Sequence, residues 1–246
     1  MIPDDQHLEI GSLVFDGFDQ IDLTGPFEVL SRIPNSSYRL VGAAEGPVRD
    51  MRGLRVLPDL TIAEPARLDV LHVPGGPGQE ALMEDEEVLT WLRDQASGAG
   101  AVLSVCTGAL LLGAAGLLQG RRATTHWSAL HLLPFFGAVR DDRRVVVDDT
   151  WVFAGGVTAG IDGALRLAAE LRGRQAAEVI QLGMQYAPEP PFDAGTPDTA
   201  PPEVLARARE AQGDLTARRE GTARRVAERL GVRPVPATGG PSGTGG

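Results

Sequence analysis

The chain has a single cysteine, Cys106, and its setting suits nucleophilic chemistry. The apolar run Ala101-Val-Leu-Ser-Val105 leads into it and Thr107-Gly-Ala-Leu-Leu-Leu-Gly-Ala-Ala115 follows, which reads as a buried strand turning abruptly into a helix with the thiol on the turn. A side chain on such an elbow stands above the carboxyl edge of a sheet with backbone N–H groups near it, and both features favour a thiolate. An ordinary cysteine, with a pKa of about 8.5, is mostly protonated at neutral pH, so the elbow is expected to lower it. The competing reading of Cys106 is a small buried apolar residue.

Other residues fit around such a nucleophile. Gly75-Gly76, within Pro74-Gly-Gly-Pro-Gly78, can bring backbone N–H groups to developing charge without side-chain hindrance, or form an ordinary turn. Asp22 follows the first strand, so parallel strands would place it at the same sheet edge, where ligands bind in open α/β folds. Burial and a neighbouring thiolate drive a carboxyl toward its protonated form, which makes Asp22 a general acid; its other reading is a helix cap. Of the four histidines, His7, His72, His126 and His131, none lies beyond position 131, where a Cys-His-acid hydrolase with this chain order keeps its base. A triad of that kind is therefore not expected, and His126 reads as a structural histidine near the pocket. His126 and His131 lack the spacing and partners of a zinc site, and no GxGxxG or GxxxxGK[ST] loop occurs, so neither metal nor nucleotide cofactor is expected.

The elements that must position these groups follow from hydrophobic patterning. Strands are expected at Leu8 to Phe15, Tyr38 to Ala44, Leu54 to Leu57, Asp69 to Val73, Arg122 to Thr125, Arg144 to Val147 and Trp151 to Ala154, with Asp148-Asp149 turning between the last two. Pro26 suits the first turn of a short helix, Phe27 to Ile33, capped by Thr24 or Asp22. Further helices are expected at Glu86 to Ala96, Ala159 to Leu171, Gln175 to Tyr186 and Glu203 to Leu230. This succession of strands and helices implies right-handed βαβ units around a mostly parallel sheet.

With 246 residues and 43% hydrophobic content, the chain supports one large α/β domain, taken as residues 1–236 with a disordered tail at 237–246. No stretch approaches a membrane span, and one cysteine fits a reducing compartment, so a soluble cytoplasmic protein is expected. A net charge of −10 disfavours nucleic acid. Arg218-Arg219 and Arg224-Arg225 are interspersed with Glu220 and Glu228 at helical spacing, which reads as a solvated, ion-paired helix face.

Taken together, Asp22-Leu-Thr-Gly-Pro26, Pro74-Gly-Gly76, Ser104-Val-Cys-Thr-Gly108, Gly120-Arg-Arg-Ala-Thr-Thr-His-Trp127 and Ala154-Gly-Gly-Val-Thr-Ala-Gly-Ile-Asp162 resemble the DJ-1/PfpI superfamily, and within it the isocyanide hydratases. The resemblance runs from about Leu8 through Tyr186-Ala-Pro-Glu-Pro-Pro-Phe192 into the C-terminal helix. It implies a flavodoxin-like three-layer α/β sandwich, a homodimer, and a cysteine that attacks the terminal carbon of R–N≡C to form a thioimidate that water resolves to an N-substituted formamide. It also implies roles: Cys106 as nucleophile, Asp22 as acid/base, Thr107 as a hydrogen-bonding group near the thiolate or substrate, and the N–H groups of Gly76 and Thr107 as stabilisers of charge. Gly75 and Gly76, with Gly155, Gly156 and Val157, would border the substrate. Thr107 stands where PfpI-like peptidases carry histidine, which disfavours peptidase activity. Two alternatives remain: a non-catalytic ligand-sensing domain related to AraC-like regulators, and a redox-responsive DJ-1-like protective protein.

Overall fold

A computed structural model describes residues 5–64 and 66–233; the expected tail at 237–246 lies outside them. In chain order the strands are β1 (Leu8–Val14), β2 (Ser36–Gly42), β3 (Val48–Arg49), β4 (Arg55–Val56), β5 (Leu60–Thr61), β6 (Val70–Val73), β7 (Ala101–Val105), β8 (Arg122–Ala123), β9 (Val139–Arg140), β10 (Val145–Asp148) and β11 (Trp151–Ala154). The α-helices are α1 (Gln20–Leu30), α2 (Gln79–Leu82), α3 (Glu86–Gly98), α4 (Gly108–Ala114), α5 (Ala159–Arg172), α6 (Arg174–Gly183) and α7 (Pro202–Leu230), with a 3-10 helix at Trp127–Phe136.

Seven strands form one sheet in the order β10-β11-β7-β6-β1-β2-β5, parallel except for β10. Alternation along the buried strands sends Leu71, Val73 and Val102 to a core shared with α3, α4, the 3-10 helix and α7. Val70, Leu103 and Val105 go to the opposite core, under α1, α5 and α6. The result is the three-layer sandwich that the sequence resemblance implies. Helix α4 is buried along its whole length, as its unbroken apolar composition requires. The sequence missed β5, and the expected Arg122 to Thr125 strand contributes only the short β8, paired with β9 outside the main sheet.

The chain order along the sheet reverses at β1, which lies between β2 and β6. Crevices form at the carboxyl ends of strands at such a switch point, because the connections on either side leave in opposite directions. Asp22 follows β1, Gly75 follows β6 and Cys106 follows β7, so three neighbouring strands deliver the three groups to one edge.

One expected element is corrected. The first helix begins at Gln20 rather than Phe27, and Asp19 caps it, accepting the Ile21 N–H at 3.1 Å. Pro26 therefore sits inside α1, at the cost of one backbone hydrogen bond. Close packing on α5 compensates: a Cβ at Gly25 would lie 3.0 Å from Ile161, and one at Gly160 would lie 3.1 Å from Pro26. Asp22 is thus in the first turn of the helix, aimed inward, and is not its cap.

Candidate active site

Cys106 adopts φ of +55°, a left-handed conformation that strains a residue with a Cβ by about 1–3 kcal/mol. The surrounding structure holds it there from both sides. Its N–H donates to the Ala154 carbonyl of β11 at 2.9 Å, and its own carbonyl accepts from the Thr125 hydroxyl at 2.6 Å. Two residues on, Gly108 packs so tightly on the Val73 and Pro74 carbonyls that a Cβ there would collide with them. The elbow is therefore built by β6, β11 and the Thr124-Thr125 segment as well as by its own strand.

Asp22 is fully buried. Its Oδ2 accepts the Gly75 N–H at 3.1 Å, and its Oδ1 has no hydrogen-bond partner among the described residues. A carboxyl in that setting is stable only with a proton on it. Burial first, and then the charge of Asp19, raise its pKa to about 8, against weaker opposing effects of the Cys106 thiol, the Gly75 N–H and Arg219.

The thiol departs from expectation. Burial pushes Cys106 up rather than down, and further once Asp22 ionises, while the Thr107 N–H and Arg219 pull the other way. The sequence-based expectation of a lowered thiol pKa is therefore corrected: the elbow supplies its N–H, but water is too well excluded for that to prevail. At neutral pH the resting pair is a thiol beside a carboxylic acid.

Gly75 and Gly76 also differ in part from expectation. The Gly76 N–H donates to Thr107 Oγ1 at 3.2 Å, so it holds the elbow residue rather than standing free for a substrate. The Thr107 hydroxyl faces Gly76 and the guanidinium of Arg219, whose Nη2 lies 3.3 Å away. Gly75 separates Asp22 from Thr107: a Cβ there would lie 2.5 Å from Thr107 N, 2.7 Å from Thr107 Oγ1 and 2.9 Å from Asp22 Oδ2. Gly75→Ala is therefore expected to lower turnover about 100-fold by pushing the acid and the elbow apart, and to cost about 1–3 kcal/mol of stability. Steady-state kinetics alongside thermal melting would check both.

A cavity of about 500 Å³ opens beside the elbow, lined by Thr125, His126, Gly155, Gly156, Val157 and Arg144 among others. The structure thus brings Gly155, Gly156 and Val157 together at one pocket, whereas Cys106, 7% exposed, and Asp22, Gly75, Gly76 and Thr107 do not line it. His126 caps the 3-10 helix through Ser128, and burial pushes its pKa down to about 4, leaving it neutral. Beneath Asp22 lies a buried cluster that the sequence did not signal. His72 Nδ1 is 2.5 Å from Ser12 Oγ, which also hydrogen-bonds the Tyr38 hydroxyl, and burial drives His72 to about 3.

The arginines of α7 divide. Arg224 pairs with Glu220 and Arg225 with Glu84 at the surface, as expected. Arg219 does not: it is 5% exposed and reaches Gly76 O at 2.8 Å and Gln79 Oε1 at 2.9 Å, which corrects its reading as part of a solvated face. A signal was available, because Arg219 shares a helical stripe with the buried Thr222, Ala223, Val226 and Ala227, whereas Arg218, Arg224 and Arg225 lie off it.

Comparison with known proteins places this geometry. The DJ-1/PfpI family pattern matches residues 9–170. An isonitrile hydratase of Pseudomonas putida is 48% identical over 226 residues, covering 92% of this chain and 99% of that protein. The crystal structure of a ThiJ/PfpI family protein from Pseudomonas syringae superimposes with a TM-score of 0.86 at 38% identity, covering 90% of this chain and 93% of the other. Drosophila melanogaster DJ-1beta superimposes with a TM-score of 0.66 at 25% identity, covering 74% and 100%. A strained cysteine after the fifth parallel strand of a reversing sheet, a match over the βα core and a relative similar from end to end agree: the chain belongs to the DJ-1/PfpI family.

Proposed function

We propose that the protein is an isocyanide hydratase, converting R–N≡C and water into R–NH–CHO through a covalent adduct at Cys106. The observation that carries the reading is the Cys106 thiol set against a carboxyl that keeps its proton near neutrality. The activity named for the Pseudomonas putida relative agrees with it.

The reaction needs a proton delivered to carbon as sulfur attacks, and this pair is built to deliver it. The sulfur bonds the terminal carbon while the thiol proton passes to one oxygen of Asp22 and the carboxyl proton goes to the substrate carbon. This leaves R–N=CH–S–Cys106 with Asp22 protonated again. Water then adds across the C=N bond, its oxygen to carbon and a proton to nitrogen. The C–S bond breaks as the new hydroxyl loses its proton, through Asp22, to sulfur. The sum is R–N≡C plus H₂O giving R–NH–CHO, with thiol and carboxyl regenerated. A neutral pair also avoids placing two anions side by side, which a buried site penalises heavily.

Gly155, Gly156 and Val157 would border the substrate, and small shifts at the start of α5 would accompany covalent modification of Cys106. Residues 1–236 are read as one domain, acting as a cytoplasmic homodimer. Among the described residues no helix is long and apolar enough to cross a membrane. The exposed Val179 and Leu182 of α6 offer apolar surface that a second copy would cover.

The test is turnover of alkyl and aryl isocyanides by the purified protein, with the N-formamide identified by mass spectrometry, across pH 5 to 10. Activity is expected, and kcat should fall as pH rises through about 8, because ionised Asp22 has no proton to give and its charge raises the thiol further. Absence of turnover across the series would overturn the reading. A rate that climbs steadily above pH 8 would show instead that the free thiolate, unaided by the acid, is the reactive form.

A further inference from the structure

Among the described residues, Arg219 is a buried cation without an ion-paired carboxylate. Its three acceptors, Gly76 O, Gln79 Oε1 and Thr107 Oγ1, are all neutral, and among the described residues no carboxylate lies within ion-pairing distance. Buried guanidinium groups are ordinarily matched by an anion, because desolvating the charge is otherwise too costly. The ionisable groups whose fields reach it are Cys106, Glu80, Arg218 and Asp22, the first of these the strongest attractive partner. It projects from α7, 49 residues beyond the end of the matched family pattern, and contacts the residue that follows the nucleophile.

We propose that Arg219 is a positioning residue of the active site: it clamps Thr107 and Gly76 against each other, and its charge is completed by the anionic sulfur that Cys106 develops when its proton leaves. The guanidinium fork is suited to this, since one Nη2 reaches both the Gly76 carbonyl and the Thr107 hydroxyl while Nε is held by the fully buried Gln79. The positive charge is therefore fixed in place before any reaction begins, which is the arrangement that stabilises developing charge without reorganisation. It acts against the other groups facing the thiol and the arginine: Asp22 with Asp19 on the α1 side, Glu80 of α2, Arg218 of α7, and the neutral His126 across the elbow.

This inference rests on Cys106 as the nucleophile, and its test needs no isocyanide. The rate of Cys106 alkylation by iodoacetamide is followed against pH in wild type, Arg219→Gln and Arg219→Lys, with the adduct counted by intact mass. Glutamine keeps a hydrogen-bond donor but loses the charge; lysine keeps the charge but loses the fork. The Gln variant is expected to shift the midpoint upward by about 1 pH unit or more, slowing alkylation about tenfold at pH 7.5. The Lys variant should stay within about half a unit of wild type, while its kcat for isocyanide falls about tenfold with KM little changed. An unshifted midpoint in a folded Gln variant would overturn the proposal. Should Gln fail to fold, a Lys midpoint displaced by a full unit would overturn it equally, and a Lys midpoint held at the wild-type value would support it. Normal alkylation behaviour without turnover of any isocyanide would instead fault the substrate assignment.

Discussion

Replacing Cys106 with alanine is expected to abolish hydration, by about 10⁴-fold or more, because the covalent adduct that water resolves is formed only through the C–S bond made by this sulfur. Cys106→Ser should be nearly as inactive: it preserves size and position, but a hydroxyl in this dry setting is a far weaker acid and nucleophile than a thiol. Neither change should perturb the fold strongly, since the φ of +55° strains alanine and serine as it strains cysteine. Acid-quenched wild type mixed with excess isocyanide should gain the mass of one substrate, and both variants should gain nothing. Residual turnover within tenfold of wild type in Cys106→Ala would remove the covalent mechanism.

Asp22→Asn is expected to separate catalysis from stability, moving them in opposite directions. Asparagine can still accept the Gly75 N–H but carries no acidic proton, so kcat should fall about 10²–10⁴-fold, the usual scale for removing a general acid. The fall in kcat above pH 8 should disappear with it. Stability should rise, and the sign follows from linkage. The folded-state pKa, about 8, lies above the ordinary aspartate value of 3.8. The group is then most favourable to folding below the unfolded value, and that contribution is lost as pH rises through the folded one. At pH 7 the folded carboxyl must take up a proton that the unfolded one has released, at a cost of about 4 kcal/mol. Asparagine removes that cost but carries a burial penalty of about 1–3 kcal/mol for its own amide. A net gain of about 1–3 kcal/mol at pH 7 is expected, shrinking toward acid pH, and denaturant melts at pH 5 and 8 would check it. A variant less stable than wild type at both pH values would mean that Asp22 is ionised in the native protein.

The Asp22 carboxyl is thus held at an energetic disadvantage to the fold, as is the strained Cys106, among the buried strands β6, β7 and β11. The same packing explains the reversal at the thiol. An exposed elbow at a helix start would lower a cysteine pKa. Here Cys106 and Thr107 are buried, and desolvation outweighs the one N–H and the guanidinium that favour the anion. The proton inventory of the site then follows from burial, not from the identity of the residues alone.

Much of this was legible in the chain itself. Apolar runs marked β1, β6, β7 and β11 with their positions nearly right, and the abrupt passage from Val105 through Cys106 to an apolar helix marked the elbow, because short-range patterning reflects which side chains must leave water. Asp22, Gly75 and Cys106 were legible as neighbours because parallel strands present their carboxyl ends on one edge. The start of α1 was not, since the local cost of Pro26 within a helix is offset by close packing on Gly160, more than 130 residues away. The protonation of Asp22 and Cys106 was not either, and Arg219 was misread among its surface neighbours although its helical stripe was visible. Sequence by itself determined the main strands, the cysteine elbow and the sheet edge that gathers the site, since these depend on local periodicity and chain direction. Only the tertiary structure decided which charges survive there, because desolvation and the pairing of Arg219 with the elbow arise from segments brought together by folding.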